Sequence, residues 1–173
     1  MISIEVDTKP DTNWNKRLLQ SEFASVYQTV ERASQLEFES VPNYFLKFID
    51  SKGNVIGQLL VSIRERFDKK SLRTKILNSV PGLEKKSCEW SYGPIIFCSG
   101  YDSEIFSLLN NFLSTKNFLV KGWGHPLLPG NPEILQKYFL IKKWGTFLIN
   151  LEKSKDEIYK NLDRHSCQKN IER

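Results

Sequence analysis

The feature that most restricts the fold of this chain is a pair of apolar segments, NYFLKFID (43–50) and VIGQLLVSIR (55–64), separated by the four residues SKGN. Both segments are rich in the β-branched, aromatic and aliphatic residues that favour strands. Gly53-Asn54 in the intervening segment can take the positive φ that a tight turn needs. The pattern predicts an antiparallel hairpin, and therefore a fold built on a β-sheet.

Further elements are predicted before this hairpin. ISIEV (2–6) alternates in the manner of a short strand. A helix is expected to end at Leu19, and a second helix to run from Ser21 or Ser25 to about Leu36, because serine is a preferred N-cap residue. The chain therefore places two helices between its first strand and the hairpin.

A strand–helix–strand unit is predicted after the hairpin. CEWSYGPIIF (88–97) is an aromatic strand, DSEIFSLLNNFLSTK (102–116) is an amphipathic helix capped by Asp102 or Ser103, and NFLVKGW (117–123) is another strand. This order implies a parallel pair with a right-handed crossover. The predicted fold class is α/β, a single domain with a mixed β-sheet flanked by helices.

The last third of the chain predicts three more elements. Residues 132–139 are predicted to form a short helix, and residues 143–151 are predicted to form a fifth strand. Ser154 caps a final helix, with Glu157 three residues later as its capping-box partner.

Composition narrows the class of protein. The chain has 173 residues, of which 40% are hydrophobic and 26% charged, as is usual for a globular domain. No run of about 18 apolar residues predicts a membrane span, and the first residues do not resemble a signal peptide. The three cysteines form no CxxC pair and the two histidines lie far apart. We therefore expect a cytoplasmic protein without a metal site.

The net charge of +5 is concentrated in two segments. Residues 64–86 carry 8 basic and 3 acidic side chains, and residues 142–173 carry 8 and 5, so they contribute +5 and +3. Such segments attract phosphate groups through non-specific electrostatics. The simpler interpretation of the same charges is a solvated, lysine-rich loop and a solvated helix.

Four patterns in order along the chain resemble the FemAB-type aminoacyltransferases, which consist of two GNAT-like domains in tandem. NWNKRLLQSEFASVYQTVERA (13–33) resembles the opening helices of that family, and FLKFIDSKGNVIGQLL (45–60) its first hairpin. EWSYGPIIF (89–97) resembles its Gly-Pro strand. TFLINLEKSKDEIYKNLDRHSCQKNIER (146–173) resembles the crossing into its second domain.

This resemblance implies a domain organisation and a function. Residues 1–151 would form an N-terminal GNAT-like domain, and residues 152–173 the start of a basic helix that leads to a second GNAT-like domain absent from this chain. The first domain would bind the acceptor, an amine of a peptide or cell-envelope precursor such as a nucleotide sugar. The aminoacyl group would come from aminoacyl-tRNA, and this chain alone would be inactive.

The final helix has two apolar faces, which agrees with a missing partner. At roughly 100° per residue, Ile158 and Leu162 share one face, while Cys167 and Ile171 lie on the opposite one. We expect the second face to pack on a second GNAT-like domain or on a second copy of the chain. A tail that never packs is the alternative.

Coenzyme A is not expected as a cofactor. GNAT enzymes that use acetyl-CoA hold its pyrophosphate in a glycine-rich, basic turn before the central helix. The equivalent turn here, CSGYDSEIF, has one glycine, no basic residue, and carboxylates at Asp102 and Glu104. These acids would repel a diphosphate at a helix N-terminus that otherwise suits anions. No cofactor is therefore predicted.

The resemblance places substrate contacts near the second helix and the Gly-Pro strand. Gln28 and Arg32 are one helical turn apart, so both can point the same way. Arg32 could pair with a phosphate or carboxylate, or it could be an ordinary surface residue. No arrangement of nucleophile and base is evident, so catalytic residues stay unassigned.

Four further residues complete the predicted substrate-binding set. Trp90 and Tyr92 share one face of the predicted strand, and would either stack on a sugar or base or belong to the core. Many family members have a basic residue where Tyr92 stands. Gly93, which precedes Pro94, is expected to end regular strand pairing. His125 could act as an acid or base, or form a loop hydrogen bond.

An alternative function is a non-catalytic module with a degenerate GNAT-like fold that binds tRNA or another polyanion. In that case the two basic segments would supply the contacts. The residues predicted to make them are Arg64, Arg66, Lys69, Lys70, Arg73, Lys160, Arg164 and Lys169.

Overall fold

The computed structural model of the protein describes residues 2–66, 86–116, 118–124, 132–142 and 154–161. The chain divides into two compact units, Met1–Ile141 and Lys142–Arg173. The predicted domain boundary at residue 151 and the predicted strand 143–151 lie outside the described residues.

The first unit is a mixed α/β domain built on a six-stranded sheet. Its strands are β1 (Ser3–Asp7), β2 (Asn43–Ile49), β3 (Val55–Glu65), β4 (Lys86–Ser91), β5 (Ile95–Ile96) and β6 (Leu119–Trp123). The order across the sheet is β1-β2-β3-β4-β6, and β5 pairs with β3. The prediction of a mixed sheet with helices is confirmed.

The predicted hairpin is confirmed as the antiparallel pair β2–β3. In the turn, Gly53 has a φ of +84°, whereas Asn54 does not have a positive φ. The Asp50 carboxylate accepts hydrogen bonds from the backbone N–H groups of Lys52 and Asn54, both at 2.8 Å. The glycine and this aspartate together close the turn.

Helices cover the sheet on both faces. On one face α1 (Trp14–Leu19) and α2 (Val30–Phe38) pack with Phe45, Leu60 and Ile95 of the sheet. On the other face α3 (Asp102–Thr115) buries an apolar stripe. That stripe consists of Ile105, Leu109 and Leu113. A short helix, α4 (Pro132–Gln136), also belongs to this unit.

The predicted second helix is wrong in its extent. A 3-10 turn over Val26–Gln28 comes first, and α2 begins only at Val30. Each piece has its own N-cap, since the Ser25 hydroxyl accepts from Tyr27 N–H at 3.3 Å and the Thr29 hydroxyl from Arg32 N–H at 3.2 Å. Two hydroxyl caps four residues apart divide the segment, because a capping residue adopts extended backbone angles.

The parallel crossover is confirmed, but two local predictions around it are wrong. β4 and β6 run parallel on either side of α3 in the sequence, with Cys88 opposite Val120. The aromatic strand predicted over 88–97 is broken, because β4 ends at Ser91. The N-cap of α3 is Tyr101, without a side-chain cap hydrogen bond, rather than Asp102 or Ser103.

In the second unit, the structure describes one helix, α5 (Lys155–Asn161). The predicted capping box is confirmed: the Ser154 hydroxyl accepts from Glu157 N–H at 3.3 Å, and Ser154 N–H donates to the Glu157 carboxylate at 3.1 Å. The two-faced pattern of the final helix falls largely on residues 162–173, which lie outside the described residues.

Candidate functional site

The interruption between β4 and β5 forms a bulge beside β3. Ser62 of β3 pairs with Glu89, and Gln58 with Ile95. The partners on β3 are therefore four residues apart (62 − 58), while those on the opposite strand are six apart (95 − 89). Two extra residues must bow out of the sheet between β4 and β5. Such bulges re-aim side chains and occur often next to active sites.

Hydrogen bonds fix the bulge from three directions. The Gln28 amide donates to Ser91 O at 2.7 Å. Gly93 N–H donates to Trp123 O of β6 at 3.2 Å, and the Trp90 indole N–H donates to Gly93 O at 3.1 Å. The bulge is thus tied to the turn before α2, to β6 and back to β4.

Close packing at this bulge favours glycine at position 93. A Cβ at this position would lie 2.6 Å from the Leu59 side chain and 3.1 Å from the Gln28 amide nitrogen. Any larger residue would therefore require these buried side chains to shift. The predicted end of regular pairing near Gly93 is confirmed, because β4 stops two residues before it.

The bulge presents Tyr92 to the 3-10 turn that precedes α2. Its φ is +53°, which a bulky residue rarely adopts. Its ring meets the ring of Tyr27 edge-on, with centroids 5.1 Å apart and an interplanar angle of 73°. The sequence predicted that Trp90 and Tyr92 share one face of a strand. This prediction is wrong, because the strand ends between them at Ser91.

A cleft of about 80 Å³ opens between α2 and the sheet next to this bulge. α2 and the turn before it contribute Tyr27, Arg32 and Leu36. The other lining residues come from β3, β4 and β6, and they are Leu60, Ser62, Arg64, Glu89, Trp90, Ser91 and Trp123. The cleft therefore lies where α2 stops covering the sheet.

Two arginines and one glutamate dominate the charge of the cleft. Arg64 Nε lies 3.5 Å from Glu89 and its terminal nitrogen 3.9 Å from Glu39. Lys121 Nζ lies 3.4 Å from the other oxygen of Glu89. These long, partly exposed ion pairs are weak, so incoming anions can compete for the arginine.

Arg32 faces the aromatic side of the cleft. Its guanidinium carbon lies 5.8 Å from the centroid of the Tyr27 ring, within cation–π range. One terminal nitrogen donates to Gln35 at 2.7 Å. Tyr27 and Trp123 remain 42% and 40% exposed, so their rings are open to a ligand. Flat rings and guanidinium groups together suit a ligand with a ring and an anionic group.

The structure brings several of the predicted substrate-binding residues together in different roles. Arg32 and Trp90 line the cleft, and Tyr92 lies beside it. Gln28 is fully buried, and its amide is engaged by the protein, which is a scaffold role. Gln28 and Arg32 do not lie on one continuous helix as predicted, because the helix is divided at Thr29. His125 lies outside the described residues.

The predicted polyanion contacts are only partly described. Arg64 lines the cleft, Arg66 follows β3, and Lys160 is an exposed residue of α5 in the other unit. The remaining predicted contacts lie outside the described residues, and they are Lys69, Lys70, Arg73, Arg164 and Lys169. Polyanion binding by this set therefore stays a prediction.

Three cleft residues that carry chemistry were not predicted from the sequence. Tyr27 and Trp123 provide the exposed rings, and Glu89 the carboxylate. One signal was present in the sequence: Leu60, Ser62 and Arg64 alternate along β3, so one face of that strand becomes polar toward its end. This polarity marks the part of the sheet that α2 leaves open.

Two further properties concern only the described part of the chain. None of its helices has the length and apolar character needed to cross a membrane. No three His, Cys, Asp or Glu side chains in it converge as a metal site would require.

Comparisons of the chain with protein-family models, with curated proteins and with solved structures gave no match.

Proposed function

We propose that this chain is the acceptor-binding N-terminal domain of a FemAB-like acyltransferase with a GNAT-like fold. The whole enzyme would transfer an aminoacyl group from aminoacyl-tRNA to an amine of a peptide or cell-envelope precursor. This chain supplies acceptor binding, and a second domain supplies much of the reaction chemistry.

The sheet order is the observation that carries the proposal. The residue patterns predicted two helices after the first strand, then an antiparallel hairpin, then a helix that connects two parallel strands, and this order resembles the GNAT-like fold. The observed order β1-β2-β3-β4-β6, with α1 and α2 after β1 and α3 between the parallel strands β4 and β6, follows the same plan. Strand order and strand direction together distinguish one fold from another better than either feature does alone.

The cleft supports an acceptor-binding role. It lies beside the break after β4, where the Gly-Pro segment was predicted to contact substrate, and Arg32 and Arg64 line it. An acceptor precursor that carries phosphates or carboxylates would meet two guanidinium groups there, and charge-assisted hydrogen bonds of this kind are strong.

The proposal is tested by calorimetric titration of the 173-residue chain with a nucleotide-linked sugar-peptide precursor of peptidoglycan. We expect binding, and about tenfold weaker binding for Arg32→Gln because one charge-assisted hydrogen bond is lost. Lys16→Gln, at an exposed position of α1, is the matched control and should bind like the wild type. Absence of binding at millimolar precursor would refute the proposed acceptor role.

A further inference from the structure

Strand β1 stands at one end of the sheet. It pairs with β2 along all five of its residues in an unbroken antiparallel register. The part of the chain that the structure describes places no strand on its other side. An edge strand presents a row of backbone N–H and C=O groups that can pair with a further strand. β1 contains no proline, no lysine and no bulge, which are three common obstacles to such pairing.

The two faces of β1 differ in chemistry. Ile4 lies opposite Phe48 of the core on the α3 side of the sheet. Val6 shares that face and is 37% exposed. Glu5 and Asp7 lie on the other face, because successive side chains of a strand alternate. A strand added beside β1 would therefore have apolar neighbours on one face and acidic neighbours on the other.

The acidic face of β1 is only partly neutralised by the sheet. Lys47 Nζ of β2 lies 2.8 Å from the Glu5 carboxylate and 3.2 Å from the Asp7 carboxylate, so one ammonium serves both acids. The same Nζ also lies 3.9 Å from Asp11. The side chains of Glu5 and Asp7 are still 54% and 48% exposed. Basic side chains on an added strand would lie within reach of these carboxylates and would be attracted to them.

The same acids disfavour a second copy of the chain at this edge. Two β1 strands that pair antiparallel about a twofold axis would bring their acidic faces together. Like charges opposite each other destabilise a pair of strands. Repulsion of one partner combined with attraction of another is a source of binding specificity. The charges of β1 therefore favour a basic strand over a second copy of β1.

We propose that the outer edge of β1 binds an extended peptide segment of another protein, with basic side chains on one face and apolar side chains on the other. The segment adds a strand to the sheet, so main-chain hydrogen bonds give affinity and alternate side chains give specificity. Its basic residues pair with Glu5 and Asp7, and its apolar residues lie beside Val6. This interaction is separate from the proposed function, because the cleft is lined by β3, β4, β6, α2 and the turn before α2.

The test is a titration of the 173-residue chain with a fluorescently labelled synthetic peptide of alternating lysine and valine. We expect saturable binding. Binding should be lost with a peptide of alternating glutamate and valine, whose charge is reversed. It should also be lost with a peptide in which the same lysines precede the same valines, because that order removes the alternation. Absence of binding at millimolar lysine-valine peptide, or equal binding of the three peptides, would show that the inference is wrong.

Two double variants locate the contact on the protein. Glu5→Gln/Asp7→Asn should weaken binding of the lysine-valine peptide about fivefold, because two exposed ion pairs are lost. Glu22→Gln/Glu37→Gln removes the same charge at exposed positions outside β1 and should bind like the wild type. Equal effects of the two double variants would mean that the protein attracts the peptide only through its overall charge, which would overturn the inference.

Hydrogen exchange on the wild-type chain distinguishes strand addition from surface electrostatics, whatever the stability of the variants. The lysine-valine peptide should slow the exchange of the β1 amides that do not pair with β2. The amides of β6, at the other end of the strand order, are the internal control and should be unchanged. The inference is wrong if β6 is protected instead, if neither strand is protected, or if a dimer of the unbound chain already protects β1.

Discussion

The side-chain amide of Gln28 donates a 2.7 Å hydrogen bond to the main-chain carbonyl of Ser91, 63 residues further along the chain. The same amide accepts from the N–H of Leu60, also at 2.7 Å. One fully buried side chain therefore joins the turn before α2 to two strands, and it holds one side of the bulge that presents Tyr92.

Replacement of Gln28 by alanine should lower the free energy of unfolding by about 2–5 kcal/mol, because it leaves a buried N–H and a buried carbonyl without these partners. Chemical denaturation followed by circular dichroism measures the loss. Gln35→Ala, on the exposed side of α2, is the control and should change stability by less than about 0.5 kcal/mol. Equal effects of the two substitutions would contradict the scaffold role of Gln28.

Gly122→Ala should destabilise the domain by at least about 2 kcal/mol. A Cβ at Gly122 would overlap the ring of Trp90, whose indole is buried and bonded to the bulge. Gly124→Ala is the matched control, since a Cβ there meets no atom within 4 Å. Thermal unfolding of both variants checks the prediction, which fails if Gly122→Ala melts like Gly124→Ala.

The thiols of Cys88 and Cys98 should differ strongly in reactivity. Burial raises the pKa of Cys88 to about 12, and the neighbouring Glu89 carboxylate adds to the rise. Cys98 is exposed. In a Cys167→Ser background, an aromatic disulfide reagent at neutral pH should modify Cys98 rapidly. It should modify Cys88 only after unfolding, because the thiolate is the reactive form. Cys98→Ser should abolish the rapid phase; its persistence would contradict the burial of Cys88.

The hairpin turn should lose stability in acid through Asp50. Hydrogen bonds from the Asn54 side chain and backbone hold the pKa of Asp50 below its ordinary value. A pKa lowered by folding means that the stabilisation is present above the ordinary value and is lost as the pH falls through the lowered one. Urea unfolding between about pH 5 and about pH 2 should show a smaller decline for Asp50→Asn than for the wild type. Parallel curves for the two proteins would argue against this contribution.

Acetyl-CoA should not bind with meaningful affinity. The first turn of α3 carries Asp102 and Glu104, whose negative charges oppose a diphosphate at that helix end. Calorimetry at low salt is the sensitive measurement, since weak electrostatic binding is least screened there. The double variant Asp102→Asn/Glu104→Gln tests whether these charges are responsible. A micromolar dissociation constant for the wild type would overturn the prediction.

Elements whose signals are local could be predicted from the sequence. The hairpin follows from two strand-forming segments around Gly53, and the start of the last helix from Ser154 and Glu157, which lie three residues apart. The parallel crossover could also be predicted from the sequence, because a chain can connect two strands through one helix in only a few ways. In each case the deciding residues are neighbours in the chain or obey a rule of connection.

The roles of the site residues were decided only by tertiary structure. The sequence singled out Gln28, Trp90, Tyr92 and Gly93, but it could not distinguish the residues that hold the bulge from the one that it presents. That distinction depends on hydrogen bonds between segments far apart in sequence, such as Gln28 to Ser91 and Gly93 to Trp123. Composition and periodicity report which side chains can be buried or paired; which partner each one meets is fixed only when the strands take their register.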